Sequence, residues 1–123
     1  MKPCVTGLIA IVHVQDVQRS ADFYRLLGME VRESLRDLFG VRQWTELVCE
    51  RAQLMLTRAS VPVVAGQQAV LFYLYSPDLP ALREHLLAKG SNVSSITYPE
   101  YMPKGEVRVE DPDGYVLLIG QAG

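Results

Sequence analysis

The sequence predicts an α+β protein made of two β-α-β-β-β modules, and three observations carry that prediction. One plan is stated twice, 62 residues apart: Gly7 to Val14, Asp16, a helical pattern, Gly28 and Val31, then Ala69 to Tyr75, Asp78, a helical pattern, Gly90 and Val93. The internal spacings agree too, with twelve residues from Asp to Gly and three from Gly to Val in both copies. Finally, Asp111-Pro112-Asp113-Gly114 separates two apolar runs and suits a type I turn followed by a left-handed glycine, a common three-residue hairpin loop. A period of half the chain means two similar modules, and a cleft between them is the natural place for a ligand.

Module one covers about residues 5–58 and opens with a strand from Gly7 to Val14. Asp16 is placed to cap a helix whose apolar residues Val17, Ala21, Tyr24 and Leu27 share one face. Gly28 stands where a left-handed C-terminal cap is wanted. Three strands follow, Glu30 to Leu35, Arg42 to Cys49 and Ala52 to Arg58, with Glu50-Arg51 as a tight turn. Residues 59–68, with Pro62 and Gly66, read as a linker. Module two, about 69–120, repeats the strand and then the helix Leu79 to Lys89, with Asp78 as cap and Pro80 in the first turn. A short strand near Val93 to Ile96, an irregular stretch Thr97 to Lys104, and strands Glu106 to Glu110 and Tyr115 to Gly120 complete a single domain of 1–123.

At 123 residues and 49% hydrophobic, the chain can bury a core of its own. A net charge of −2 with no basic patch argues against nucleic-acid binding. No segment reaches transmembrane length, so no membrane role is expected. Lys2 precedes an apolar run, Val5 to Val14, but the run is short, holds His13 and meets Asp16 at once, so it reads as a buried strand and not a signal peptide. Cys4 and Cys49 form no metal-type pair and read as reduced thiols of a cytoplasmic protein. Asn92-Val93-Ser94 fits a glycosylation acceptor, which is meaningless without secretion.

Alternation assigns the strand faces. The hairpin register pairs Asp111 with Tyr115, Val109 with Leu117 and Arg108 with Leu118. Val107, Val109, Leu117 and Ile119 then face a helix, leaving Glu106, Arg108, Glu110, Val116 and Leu118 towards the cleft. Pairing Glu46 with Met55 and Trp44 with Thr57 buries Leu47, Cys49, Leu54 and Leu56, leaving Trp44, Glu46, Val48, Gln53, Met55 and Thr57 opposite. In the first strand Leu8, Ala10, Val12 and Val14 pack on the helix, so Ile9, Ile11 and His13 point inward. The 62-residue offset maps these three onto Leu71, Tyr73 and Tyr75.

The order strand, Asp16-Val17-Gln18-Arg19-Ser20-Ala21-Asp22-Phe23-Tyr24, Leu27-Gly28, with the ending Glu110-Asp111-Pro112-Asp113-Gly114-Tyr115, resembles the glyoxalase/bleomycin-resistance/dioxygenase (vicinal oxygen chelate) superfamily over essentially the whole chain. The resemblance implies two βαβββ modules forming a curved mixed sheet around a cleft. Metal-dependent members carry His, Glu or Gln at positions that match Ile9, Met55, Leu71 (or Val70) and Leu118 here. None of these side chains can bind a divalent cation in that way, so no metal and no cofactor are expected. The metal-free branch, similar to bleomycin-resistance proteins, carries aromatic residues at the positions of Trp44, Tyr73 and Tyr75 and forms homodimers.

Together these readings give a small-molecule-binding homodimer that sequesters a planar aromatic or hydrophobic ligand such as an antibiotic. Its expected ligand-binding residues are Trp44, Tyr73, Tyr75, Met55, Arg108, Glu106, His13, Tyr101 and Met102, the last two from a Tyr98 to Pro103 stretch long enough to fold over the mouth. The alternative is a lyase, isomerase or other enzyme working through Glu46, Glu106, Arg108 or His13. A third reading is an interaction domain with a vestigial cleft. No nucleophile motif is present, so no catalytic residue is assigned.

Overall fold

Two capped helices and seven strands arise from the repeated pattern, and a computed structural model describes residues 3–123. Lys2, whose charge precedes the first apolar run, lies outside the described residues. The chain divides between Val63 and Val64 into two compact units. No helix is long and apolar enough to cross a membrane.

The first unit contains β1 (Ala10–Val14), α1 (Val17–Arg25), β2 (Glu30–Arg36), β3 (Arg42–Cys49) and β4 (Ala52–Arg58). Asp16 caps α1 by accepting the Arg19 N–H at 3.1 Å. The helix ends as Gly28, at φ +89°, lets the Gly28 and Met29 N–H groups turn back to the Arg25 and Tyr24 carbonyls. The sheet runs β1-β4-β3-β2, with β1 parallel to β4 and the other pairs antiparallel. The expected register holds: Trp44 pairs with Thr57 and Glu46 with Met55. Glu50 enters the left-handed region at φ +50° to close that hairpin, although Glu is a poor residue for it. Val12, Val14, Leu47, Leu54 and Leu56 are buried on one face against Val17, Ala21, Phe23 and Tyr24 of α1. Cys49, at the end of β3, is only partly buried, and Leu8 departs further from the expected packing. The strand starts only at Ala10, so Leu8 stands 95% exposed outside the sheet.

The second unit contains a 3-10 turn (Ala65–Gln67), β5 (Phe72–Ser76), α2 (Leu79–Ala88), β6 (Glu106–Glu110) and β7 (Val116–Gln121). Asp78 caps α2 through the Ala81 N–H, and Gly90 at φ +82° ends it with the same pair of returning bonds. Gly114 at φ +88° follows the Pro112-Asp113 turn, and Asp111 accepts both the Asp113 and Tyr115 N–H groups at 2.9 Å. Val107, Val109, Leu117 and Ile119 are buried to 1% or less, as the alternation requires.

One expectation needs correction. The strand near Val93 to Ile96 is reduced to two isolated bridges, Val93 with Val109 and Thr97 with Glu106. The Ser94 hydroxyl takes the Arg108 N–H at 2.8 Å, so a side chain occupies a ladder position and regular pairing stops there. The second sheet therefore has three strands, ordered β5-β7-β6. The strands of each unit pair among themselves, which gives two small sheets within the expected two-module α+β plan.

Both helices begin on a single aspartate, so Asp16→Ala and Asp78→Ala should each cost about 1 kcal/mol. Urea unfolding read by circular dichroism checks this. Wild-type stability in either variant would mean that the cap carries no weight.

Candidate functional site

In the second unit, the face of the sheet turned away from α2 gathers an acid and three aromatic rings. Tyr73 and Tyr75 stand two residues apart on β5 and therefore share that face, their ring centroids 5.3 Å apart. Tyr101, from the irregular segment before β6, brings a third ring to 6.4 Å from Tyr73. Glu106 at the start of β6 lies beneath them, only 7% exposed. The Tyr73 hydroxyl donates to one carboxylate oxygen of Glu106 and the Tyr101 hydroxyl to the other, both at 2.7 Å.

Gly120 makes this reach possible. It pairs with Tyr75 on one side and Glu106 on the other, so a side chain there would fill the space between them. A Cβ at Gly120 would lie 2.8 Å from the Tyr73 hydroxyl and 2.8 Å from the Met102 methyl group. Tyr73 is one row removed from Glu106, level with Leu118 and Arg108, and its hydroxyl passes diagonally over the bare glycine. Met102 rests in the same gap. Gly120 was not among the expected site residues, yet a glycine inside an apolar strand is the sequence signal of a close approach.

Proximity to the acid is legible in the phenols. Burial, followed by the hydrogen bond to Glu106 and its negative charge, raises the Tyr73 hydroxyl well above the usual phenol range. The hydrogen bond to Glu106 comes first for Tyr101 and raises it as well. Both hydroxyls therefore stay protonated donors. Among the described residues no cation pairs with Glu106. Arg108 lies on the same strand face, but its guanidinium turns along β6 to Glu110 at 3.1 Å. This is a surface pair of the kind that contributes little.

The first unit gathers a different set on the face away from α1. Trp44 and Met55 are half-buried there, with Glu46 5% exposed and His13 exposed at the end of β1. Glu46 is held by Arg32, whose Nε and one terminal nitrogen donate to the two carboxylate oxygens at 2.7 and 2.8 Å. The hydrogen bond and the charge of Glu46 raise the Arg32 guanidinium further above its ordinary value. Val31 pairs with Leu47 on the face under α1, so the next residue, Arg32, falls on the opposite face beside Glu46, and the register then shifts between Val31 and Glu33. Of the nine expected ligand-binding residues, Tyr73, Tyr75, Tyr101, Met102 and Glu106 thus come together. Arg108 is engaged elsewhere, and Trp44, Met55 and His13 belong to the first unit.

Ile9 and Leu71 fall outside the regular strands, whereas Met55 and Leu118 lie mid-strand on the faces away from the helices. Among the described residues no group of three or more His, Cys, Asp or Glu is arranged to hold a metal ion. His13 and His85 sit on β1 and α2.

The architecture is that of a two-module α+β protein whose sheets each keep one face free of helix, and comparison with known families agrees. Residues 7–119 match the model of the Glyoxalase/Bleomycin resistance protein/Dioxygenase superfamily, so the chain belongs to that superfamily. Similar solved structures include a bleomycin-binding protein complexed with bleomycin, 17% identical with a TM-score of 0.75 over 97% of this chain and all of the other. TnmS3, an antibiotic-binding protein from Streptomyces sp. CB03234, is 20% identical with a TM-score of 0.75, over 99% of this chain and all of its own. The bleomycin resistance determinant encoded on transposon Tn5 is 17% identical with a TM-score of 0.74, over 95% and 98%. At these identities the likeness is one of fold. No curated protein sequence matches the chain significantly.

Glu106→Gln should lower the pH at which these tyrosines ionise in a spectrophotometric alkaline titration. Tyr101 should fall furthest, since its bond to Glu106 is the leading cause of its shift, whereas burial still holds Tyr73 up. The sign for stability follows. The stabilisation from these phenols is complete below their ordinary value of 10.0 and is lost as pH rises through the raised folded-state values. An unchanged titration in the variant would contradict the arrangement. Gly120→Ala should crowd the Tyr73 hydroxyl and cost about 1–3 kcal/mol in urea unfolding.

Proposed function

We propose that the protein binds and sequesters a small planar aromatic or hydrophobic molecule, such as an antibiotic, without a metal and without transforming it. The exposure of clustered rings carries this reading. Tyr73, Tyr75 and Tyr101 share one sheet face and remain 37%, 67% and 66% exposed. An aromatic surface of this kind marks a contact site more often than a solvated face. Stacking on flat rings is worth about 0.5–1.5 kcal/mol per pair beyond area burial.

In the first unit Trp44, Met55 and His13 supply further apolar, aromatic and polar surface for ligand contact, and in the second unit Glu106, Arg108 and Met102 are the polar and flexible neighbours of the rings. The apolar character of Ile9, Met55, Leu71 and Leu118, where metal-dependent relatives carry their ligands, supports the metal-free branch. Solved relatives of this fold described as bleomycin- or antibiotic-binding support a binder. On this reading residues 1–123 act as one domain, in a cytoplasmic homodimer. The catalytic alternative has less behind it. Glu46 and Arg108 are committed to ion pairs, and two phenols occupy both oxygens of Glu106.

A thermal-shift screen over planar antibiotics and metabolites tests this directly. A ligand present at 100 times its Kd should stabilise the protein by about 2.7 kcal/mol. The hit should quench Trp44, the single tryptophan, and be recovered intact by mass spectrometry. Recovery of a product, or stoichiometric tightly bound zinc, nickel or iron, would refute the proposal.

A further inference from the structure

We infer that Arg36 and Arg42 form a binding site for an organic anion on the first unit, so that the molecule taken up there carries a carboxylate beside its apolar body. The anion site stands on the first unit alone, and only the apolar body of its ligand rests on the binding reading above. Three observations bear on it.

The first is the pairing. Arg36 and Arg42 are partners across β2 and β3, next to the loop that joins those strands and just past a register shift. Like charges directly opposite one another on neighbouring strands repel. Two guanidinium groups so placed are unfavourable as they stand and become favourable once an oxyanion lies between them.

The second is the want of an acid from the chain itself. Among the described residues neither arginine forms an ion pair. Asp37, the acid beside Arg36, is spent on the loop: one oxygen accepts the Phe39 and Val41 N–H groups at 2.9 Å, and the other accepts the Gln43 amide at 3.4 Å. Arg36 donates one terminal nitrogen to the Gly40 carbonyl at 2.8 Å, which orients its guanidinium without neutralising it. Two arginines and one aspartate leave this end of the hairpin net positive.

The third is an orphaned donor. The Arg42 Nε is the one buried side-chain nitrogen or oxygen among the described residues with no hydrogen-bond partner. A donor taken out of water and left without an acceptor is costly. Arg32, in the same sheet, shows how that cost is met: its Nε and one terminal nitrogen form a fork that takes both oxygens of Glu46. Arg42 carries the same fork with no carboxylate from the chain to fill it. As a whole Arg42 is only half-buried, so an anion from solvent can reach its guanidinium.

The neighbouring row supplies the apolar contact. There Leu35 pairs with Trp44, and Leu35 is exposed while Trp44 is half-buried. The ligand class is therefore an aromatic acid, its carboxylate on the arginines and its ring towards Trp44.

The test compares 2-naphthoate with the neutral 2-naphthamide and with inorganic phosphate, by calorimetry on the full-length protein at constant ionic strength. The naphthoate should bind about tenfold tighter than either. Arg42→Gln should erase its advantage over the amide while leaving amide binding within about twofold. Arg36→Gln should weaken the naphthoate by about three- to fivefold. A further readout separates this role from a structural one. Arg42→Met keeps the stem and removes the repelling charge and the orphaned donor, so its urea midpoint should equal or exceed that of the wild type. A lowered midpoint would mark Arg42 as a residue of the fold and overturn the site. Equal binding of naphthoate and naphthamide, or a preference that survives Arg42→Gln, would overturn the anion site and leave the binding reading standing. Phosphate binding as tight as that of naphthoate would remove the aromatic body from the site. If no probe binds, the site falls, while the binding reading stands or falls by the thermal-shift screen.

Discussion

Each unit depends on the parallel pairing of its first and last strands, β1 with β4 and β5 with β7. A parallel pair cannot be joined by a tight turn, so the chain must cross over, and in both units the crossover begins with a helix laid on one face. That helix separates the two sides of every strand. Val12, Val14, Leu47 and Leu56 in one unit, and Val107, Val109, Leu117 and Ile119 in the other, are buried because they lie under it. The other face is left without a helix, and every candidate binding residue on the strands lies there. Aspartate caps and left-handed glycines at the helix ends fix the crossover length, which is why the twelve-residue spacing recurs.

Two buried carboxylates on those open faces reveal different solutions to one problem. Glu46 is neutralised by Arg32, which stands opposite it on β2 at the bulge. A pair of this geometry fixes both side chains and leaves little capacity for anything else. Glu106 instead accepts two neutral donors, which orient it without cancelling its charge. The same hydrogen bonds order Tyr73 and Tyr101, so ring positions and acid position are determined together. A preorganised aromatic surface loses less conformational freedom on binding than a loose one.

Most of the fold could be read from the chain because its rules are local. Caps at Asp16 and Asp78, turns at Gly28, Gly90 and Gly114, and alternation in β3, β4, β6 and β7 each follow from a few neighbouring residues. The failures came where a side chain took a backbone donor or where pairing began later than the apolar run. Ser94 takes a backbone donor and dissolves a strand. Leu8 is apolar but precedes the point at which pairing begins. The tyrosines and Glu106 were placed correctly on one face, but not their bonds, because Tyr73 reaches Glu106 diagonally and only the absence of a side chain at Gly120 permits it.

Register makes the divergence of the repeat explicit. His13, Thr57 and Trp44 form one row of the first unit, and Tyr75, Gly120 and Glu106 form the matching row of the second. The adjacent rows are Ile11, Met55 and Glu46, against Tyr73, Leu118 and Arg108. The rows differ position by position: where the first unit has Trp44 the second has Glu106, where the first has Glu46 the second has Arg108, and where the first has Ile11 the second has Tyr73. Replacing Thr57 by Gly120 is the change on which the second arrangement turns. With a threonine in that row, no hydroxyl from the neighbouring row could cross to the acid. A single lost side chain thus converts an open strand face into a cradle where rings and carboxylate are held by one another.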